Sequence, residues 1–475
     1  MRTINLIFAL LLFTASFAQE KWSLQKCVTY AVEHNITVKQ ADLQARLSAL
    51  TLTESRATQI PTVGVGVNGQ YQWGLTENPT TSVLEKSNYF SSGVGLQSSV
   101  TLFNWFSVRN TIKANELTVQ ADHQQTNKVK DDISLNVANA YLQILLTKEQ
   151  ANIARSQVDL SRSQLENTRK QVDVGKLPEL NAAELEAQLA RDTSSLIAAE
   201  SAVTQALLLM KALLTLDAGS SFDVDTPPVD LIPIIPLADM QPEAVFALAL
   251  VNMSQQKVND LRLQAARKSV TAAKGKMFPT ISASGSLGSN YADLGFPKYD
   301  VGPLQPTNAV VPVGGVNYTV FVPGTGPKIG TAPAIPFGKQ LRNNFGQIVG
   351  LSLNFPIFNG LTARTNWQRA KLNVEQYMLT KQQGDIQLKQ DIYNAYTNAV
   401  AAVEKFNANK KTVQTTQKAF DFAKKRYEVG LLSTFELITS QNNLQRAQYD
   451  LVYSQYDYVF KMKLLEYYRG QGLKL

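Results

Sequence analysis

Cysteine and histidine are nearly missing from this 475-residue chain, which has one cysteine, Cys27, and two histidines, His34 and His123. A single thiol cannot close a disulfide within the chain, and so few ligands exclude a zinc site built on cysteine and histidine. Long hydrophobic runs are equally scarce. Only residues 1–18 carry one, so a bundle of transmembrane helices is excluded. A dominant charge of one sign is also absent. The 46 Lys and Arg against 38 Asp and Glu leave a net +8, spread along the chain with acids between, which reads as a solvated surface and not as a nucleic-acid site. No nucleophile–base set, phosphate-binding loop or ligand cluster stands out, and the two histidines fall far apart in predicted helices. No enzyme, cofactor or metal site is expected.

What is present begins with an address. Arg2 precedes an apolar run from Leu6 to Phe13, and Ser16-Phe17-Ala18 places small residues before a cut between Ala18 and Gln19. This is the pattern of a secretory signal peptide over 1–18, too short for the roughly 20 residues that cross a bilayer. The residue after the cut is not cysteine, which argues against a lipid anchor. Cys27 reads as a small buried apolar side chain.

The chain also repeats itself. At an offset of 255, Gly95-Leu96 falls on Gly350-Leu351, Phe103-Asn104 on Phe358-Asn359, Asn139-Ala140-Tyr141 on Asn394-Ala395-Tyr396, and Val174-Gly175 on Val429-Gly430. Nearer the start of each half the offset is 218, matching Asp42-Leu43 to Asp260-Leu261 and Pro61-Thr62 to Pro279-Thr280. The two offsets differ by 37, an insertion in the second half after Tyr291. The expected organisation is a first repeat over 19–216, a Pro-rich equatorial joint over 217–241 and a second repeat over 242–475.

Within each repeat, heptads mark helices. Ala151, Val158, Leu165 and Val172 recur every seven residues, as do Phe406, Val413, Phe420 and Tyr427; second series run from Ala182 to Met210 and from Leu437 to Leu465. A strict seven-residue repeat predicts coiled seams. The proline-free stretches 107–172 and 362–427 are each about 100 Å long as helices, and flanking helices near 22–59 and 178–214 are about 55 Å. Strands are marked by alternation. Val63, Val65, Val67, Tyr71 and Trp73 alternate with Thr62, Gly64, Gly66, Asn68 and Gln70, and the pattern returns near 90–102, 280–291 and 346–357. Uncharged alternating runs of about ten residues with aromatic ends fit transmembrane strands, in hairpins at about 61–103 and 279–358. A half-buried soluble sheet alternates in the same way. The connections, 74–89 and 292–344, read as long irregular outer loops, the second with eight prolines and eight glycines.

Four strands cannot close around anything, and an open sheet edge in hydrocarbon costs several kcal/mol per unpaired amide. Several chains must therefore share one barrel. Two would give eight strands with a filled interior; three would give twelve, and the Gly- and Ser-rich second face favours that open one. The expected fold is an α+β membrane protein: a trimeric 12-stranded transmembrane β-barrel, four strands per chain, continued by a long α-helical coiled-coil barrel, with two internal structural repeats.

On the duplicated helix–hairpin–helix–helix order and the paired segments Val172-Asp173-Val174-Gly175-Lys176-Leu177 and Tyr427-Glu428-Val429-Gly430-Leu431-Leu432-Ser433, the sequence resembles the TolC-type outer-membrane efflux proteins over almost all of its mature length. The resemblance implies a homotrimer in the outer membrane of a Gram-negative bacterium, extending into the periplasm as the passive exit duct of a tripartite efflux or type I secretion system. It implies a periplasmic adaptor docking at tip turns built from Val174, Gly175, Leu177, Val429, Gly430, Leu432 and Ser433, and an inner-membrane pump of the RND, ABC or MFS type. By position in the family's gate, the tyrosine is kept as Tyr427, aspartate positions hold Glu436, Thr439 and Asn181, and the arginine position holds Leu432. The salt-bridged lock of the family is therefore not carried over; apolar packing of Leu432 and a ring of Glu436 take its place as candidates. Two other readings stay open: a soluble periplasmic coiled-coil adaptor, and an adhesin or stalk. The cargo is not named by the sequence, although two histidines and seven scattered methionines argue against a copper or silver route.

Overall fold

The computed structural model describes residues 21–77, 84–226 and 235–470. The signal segment and Pro227, Pro228 and Pro233 of the joint lie outside the described residues. The chain divides into a helical unit (within 1–52, 113–268 and 370–475) and a sheet unit (53–112 and 269–369), the divisions falling inside four helices.

Helices α1 (Leu24–His34), α2 (Ile36–Ala57), α3 (Ser107–Asp173) and α4 (Glu179–Leu214) are answered by α5 (Pro242–Asn252), α6 (Ser254–Gly275), α8 (Thr362–Glu428) and α9 (Thr434–Tyr468). The short pairs begin and end 218 residues apart. The two 67-residue helices begin and end 255 apart, matching the offsets of the sequence. The stretch 22–59, expected as one helix, is broken at Asn35, which adopts an extended conformation (φ −61°, ψ 133°). Its side-chain carbonyl accepts from Thr37 N–H at 2.9 Å, capping α2, while its amide donates to Leu213 O at 2.8 Å. Met253 makes the equivalent break in the second half.

In the helical unit two apolar cores repeat the same plan. Cys27, Ala31, Val137, Tyr141, Ile144, Met210 and Leu214 form one; Val245, Ala249, Leu388, Ile392, Ala395, Met462 and Leu465 form the other. Cys27 is fully buried, and burial pushes its thiol up to about 12, so it stays a neutral packing group. His34 stacks on Tyr30 with centroids 3.9 Å apart. The joint is folded onto these cores. Val224 and Met240 are buried, the Tyr141 hydroxyl donates to Asp225 O at 2.6 Å, and Glu466, in a buried ion pair with Lys463, accepts from Ile235 N–H. Polar contacts give the lateral order of the remaining helices. Ser48 of α2 meets Asp122 of α3; Asp122 and Asp131 of α3 meet Arg262 and Ser254 of α6; Asp260 of α6 meets Lys381 of α8. The row is α2-α3-α6-α8. Its two border helices carry exposed apolar heptads, Ile36, Leu43 and Leu50 on α2 and Leu372, Leu379 and Ile386 on α8.

In the sheet unit, β1 (Thr62–Glu77), β2 (Leu84–Phe103), β3 (Thr280–Ala292) and β6 (Gly346–Asn354) form one antiparallel sheet in the order β1-β2-β3-β6. The strands hold 16, 20, 13 and 9 residues, so the first hairpin is longer than the expected ten-residue strands. The register keeps the two faces distinct. Val65, Leu96 and Leu287 lie in one row of the apolar face, which ends at Gln347 in β6. Rows of the other face read Thr62, Ser99, Ser284, Gly350 and then Gly66, Gly95, Gly288, Gly346. That second row is glycine in all four strands.

The segment 292–344 is not the irregular loop its composition implied, and the described residues hold six strands, not four. β4 (Phe296–Val313) and β5 (Val316–Ala332) pair as a separate two-stranded ribbon, closed by Gly314-Gly315 with both φ positive, as a two-residue hairpin turn requires. Six prolines fit because both strands are edges and the ladder shifts register repeatedly. A short helix, α7 (Phe337–Asn343), returns the chain onto β3, where Gln340 both accepts from Ala292 N–H and donates to Ala292 O.

Replacing Asn35 with alanine removes both the cap and the partner of a part-buried carbonyl, and is expected to cost about 1–2 kcal/mol. Thermal unfolding of the detergent-purified protein measures it; an unchanged midpoint contradicts the role.

Candidate functional site

The two helical hairpins of the helical unit end in turns of the same construction. At 174–178, Gly175 (φ 73°) donates its N–H to Val172 O and Lys176 donates to Gln171 O; at 429–433, Gly430 (φ 78°) donates to Tyr427 O and Leu431 to Arg426 O. Each is a complete Schellman closure, and the positive φ is why glycine stands there. Lys170, and Lys425 with Arg426, occupy the last turn before each glycine, where cations meet the negative end of the helix dipole. The turns push apolar side chains into solvent. Val174 is 76% exposed and Val429 68%, and Leu180 and Phe435, 255 residues apart, are exposed beside them.

The structure brings some of the sequence-chosen gate residues together and leaves others apart. Tyr427 and Leu432 pack on one apolar cluster with Phe420, Leu437 and Leu444. The Tyr427 hydroxyl lies 3.0 Å from the hydroxyl of Thr168, a buried residue of α3, so the link joins the two hairpins. Glu436 closes a capping box: its carboxylate accepts from the N–H and hydroxyl of Ser433 while Ser433 Oγ accepts from Glu436 N–H. Those hydrogen bonds from the Ser433 backbone and side chain, with Arg426 nearby, hold its carboxyl below the usual range. Thr439 turns its hydroxyl back onto Phe435 O, and the Asn181 N–H closes the first turn of α4 on Pro178 O; both stand apart from the Tyr427 cluster.

Toward the interior of the same helices runs a buried polar seam that joins α3, α4 and α9. Ser161 donates to Asp192 Oδ2 at 2.5 Å, Gln188 donates to Asp192 Oδ1 at 2.9 Å and also reaches Asn442, and Gln441 donates to Ser161 Oγ at 2.9 Å. Arg191 donates to Gln188 Oε1. Gln441 Oε1, Thr434 Oγ1 and both polar atoms of Gln164 have no hydrogen-bond partner among the described residues. Burial raises the Asp192 pKa, opposed by the hydrogen bonds of Ser161 and Gln188 and by the Arg191 charge. A contact built this way is weaker than an apolar one of the same size, because each unmet buried polar group costs on the order of 1–3 kcal/mol.

Known proteins agree with this architecture. The sequence profile described as outer membrane efflux protein matches residues 29–215 and 339–463, about two thirds of the chain. The chain belongs to the outer membrane efflux protein family. It is 22% identical over 394 residues to the outer membrane efflux protein BepC of Brucella suis biovar 1 (strain 1330), covering 83% of this chain and 74% of that one. Its fold is similar to the crystal structures of CusC (TM-score 0.76, 16% identity, 94% of this chain and 92% of that one) and of the Campylobacter jejuni CmeC outer membrane channel (TM-score 0.75, 16% identity, 97% and 91%). This efflux protein is accordingly an outer-membrane channel, of a family of channels and not of enzymes, and the soluble-adaptor reading falls away.

Thr168 and Ser161, absent from the sequence-chosen site, do carry a signal in the sequence. Their signal is a second heptad series beside Val158 and Leu165, namely Thr147, Ala154, Ser161 and Thr168, all buried. Small and hydroxyl-bearing residues at seven-residue spacing mark a core position as apolar ones do.

Asp192 titrates with a raised pKa in the folded protein, so the folded state holds this proton more tightly than the unfolded chain does. Stability is then lost as pH rises from about 4, the unfolded value, through the raised pKa. Asp192→Asn removes that loss. Thermal midpoints of the purified efflux protein from pH 4 to 7 should show the variant gaining on wild type as pH rises; a gap that widens toward acid contradicts the assignment.

Proposed function

We propose that three copies of this efflux protein form one continuous exit duct, twelve strands around the membrane-spanning part and a helical cylinder in the periplasm, opened at the helical tips by an adaptor and an inner-membrane pump. The observation that carries this reading is a pair of matched open borders. In the sheet, β1 and β6 each pair on one side only. In the helical row, α2 and α8 each present an unpartnered apolar heptad. α2 leads into β1 and β6 leads into α8, so the same two ends of the chain need a neighbour in both units. Cyclic closure satisfies both at once. Three copies also put twelve glycines at one level of the polar face, which leaves the lumen clear of side chains there. The division into two repeats with a joint at 217–241 is supported by the coincident helix boundaries.

The tip turns are read as the docking points because they are the two most solvent-projected apolar features of the helical hairpins and recur in both halves. The Thr168–Tyr427 link and the Leu432 packing are read as contacts that hold the tip closed, with Glu436 setting charge beside them. An adhesin or stalk needs neither an open lumen nor weak contacts at its tip.

Purified protein in planar lipid bilayers should conduct ions, and Thr168→Val should raise conductance by loosening the tip; absence of conductance refutes the duct. Gly430→Val places a β-branched residue at φ 78° with no atom within 4 Å of its Cβ, a local strain of about 1–2 kcal/mol. Channels are expected to assemble and conduct while efflux in cells is lost; loss of assembly would mark Gly430 as purely structural.

A further inference from the structure

The two halves of the chain repeat in three dimensions, contact for contact. In the sheet unit, the β1–β2 pair Thr62–Ser99 becomes the β3–β6 pair Thr280–Asn354 when the first strand is advanced by 218 residues and the second by 255. The pairs that follow, from Val63–Ser98 to Gln70–Ser91, carry over in the same way to Ile281–Leu353 through Gly288–Gly346. In the helical unit, Cys27, Val137 and Met210 of one core stand where Val245, Ile392 and Leu465 stand in the other, at the same two offsets. The halves meet along one junction in each unit. β2 pairs with β3 in the sheet, and α3 meets α6 in the helical row. The borders left open are the front of the first half, β1 and α2, and the back of the second, β6 and α8.

The junction inside the chain is a template for the open one. Advancing β2 by 255 gives β6, and setting β3 back by 218 gives β1. The pair Gly95–Gly288 then becomes Gly350 with Gln70 of a second copy, Gln97–Ser286 becomes Ser352 with Asn68, and Ser99–Ser284 becomes Asn354 with Gly66. All nine residues of β6 land within β1, on residues 66–74. The faces agree as well. Leu353 falls beside Val67 on the apolar side, and Ser352 beside Asn68 on the polar side. A slip of one residue would set Leu353 against the polar face. In the helical row the same shift turns the Asp131–Ser254 hydrogen bond into Ile386 against Ile36, and the Asp122–Arg262 ion pair into Tyr377 against Gln44. Ile36 and Ile386 are 59% and 69% exposed, so two unpartnered apolar side chains are assigned to each other. Charge sorts the two contacts. Arg262 of α6 takes a carboxylate that α8 lacks at Tyr377, whereas Gln44 of α2 needs none.

We infer that copies join in the register of the chain's own halves: the β6 edge takes β1 of the next copy with Ser352 on Asn68, and α8 takes α2 of the next copy with Ile386 on Ile36. The inference rests on the border-to-border closure proposed above and adds to it the partner of each residue. Cysteine pairs test it in the intact outer membrane, with the buried Cys27 common to every variant. Residues opposed in an antiparallel pair have Cα atoms about 4.5–5.5 Å apart, within reach of a disulfide. Mild oxidation of Ser352→Cys with Asn68→Cys should give linked dimers and trimers, several-fold more than Ser352→Cys with Gly66→Cys or with Gln70→Cys. Ile386→Cys should link to Ile36→Cys in preference to Leu43→Cys, about two helical turns away. Gln97→Cys with Ser286→Cys is the internal standard and should close within one chain. The inference is overturned if the strongest links come from position 66, 70 or 43, or if no link forms between copies while the standard closes and native mass spectrometry counts three chains. A count other than three, with links still at position 68, would sink the three-copy reading and leave the register standing.

Discussion

A backbone amide at the border of a sheet has nowhere to go in hydrocarbon. That constraint governs this molecule. Each chain supplies a four-stranded sheet with two borders, and its polar face is mostly glycine, serine, threonine, asparagine and glutamine. In the proposed assembly such a sheet is completed when copies join border to border. The helical row meets the same limitation by a different force, since its border heptads must leave water. Because α2 feeds β1 and β6 feeds α8, one rotation of the chain would answer both demands in the proposed assembly.

Stability is distributed unevenly along the helical unit. Near the joint, cores of Tyr141, Ile144, Met210, Ile392, Met462 and Leu465 are closed and apolar, and even the irregular segment is nailed down by Val224, Met240 and the Lys463–Glu466 pair. Toward the turns the same helices are joined by Ser161, Asp192, Gln188 and Gln441, with several buried polar atoms left unmet. Elements that move are drawn from the less stable part of a structure. The proposed duct, rigid at its waist and loosely fastened at its tip, would open there without unfolding.

Much of this was legible in the residues. Heptads gave the long helices, alternation gave the strands of the four-stranded sheet, and the 255 and 218 offsets relate the limits of the two 67-residue helices and of the short helix pairs, though not the break at Asn35. Gly175 and Gly430 announced the turns because a left-handed residue ends a helix best as glycine. Other features needed three dimensions. Nothing in the sequence separates Asn35 from an ordinary helical asparagine, because its partner, Leu213 O, is remote. Alternation in the ribbon is masked by six prolines and several bulges, so its composition reads as loop. Thr168 is visible only once α3 and α8 are seen to face each other, since a hydroxyl in a heptad series has no meaning without its partner.

The number of chains in the native assembly tests the central claim most directly. Native mass spectrometry of the protein extracted from outer membranes in mild detergent should return three chains per particle. A particle of one chain, stable and free of detergent, would show that the borders are satisfied some other way and would contradict the account.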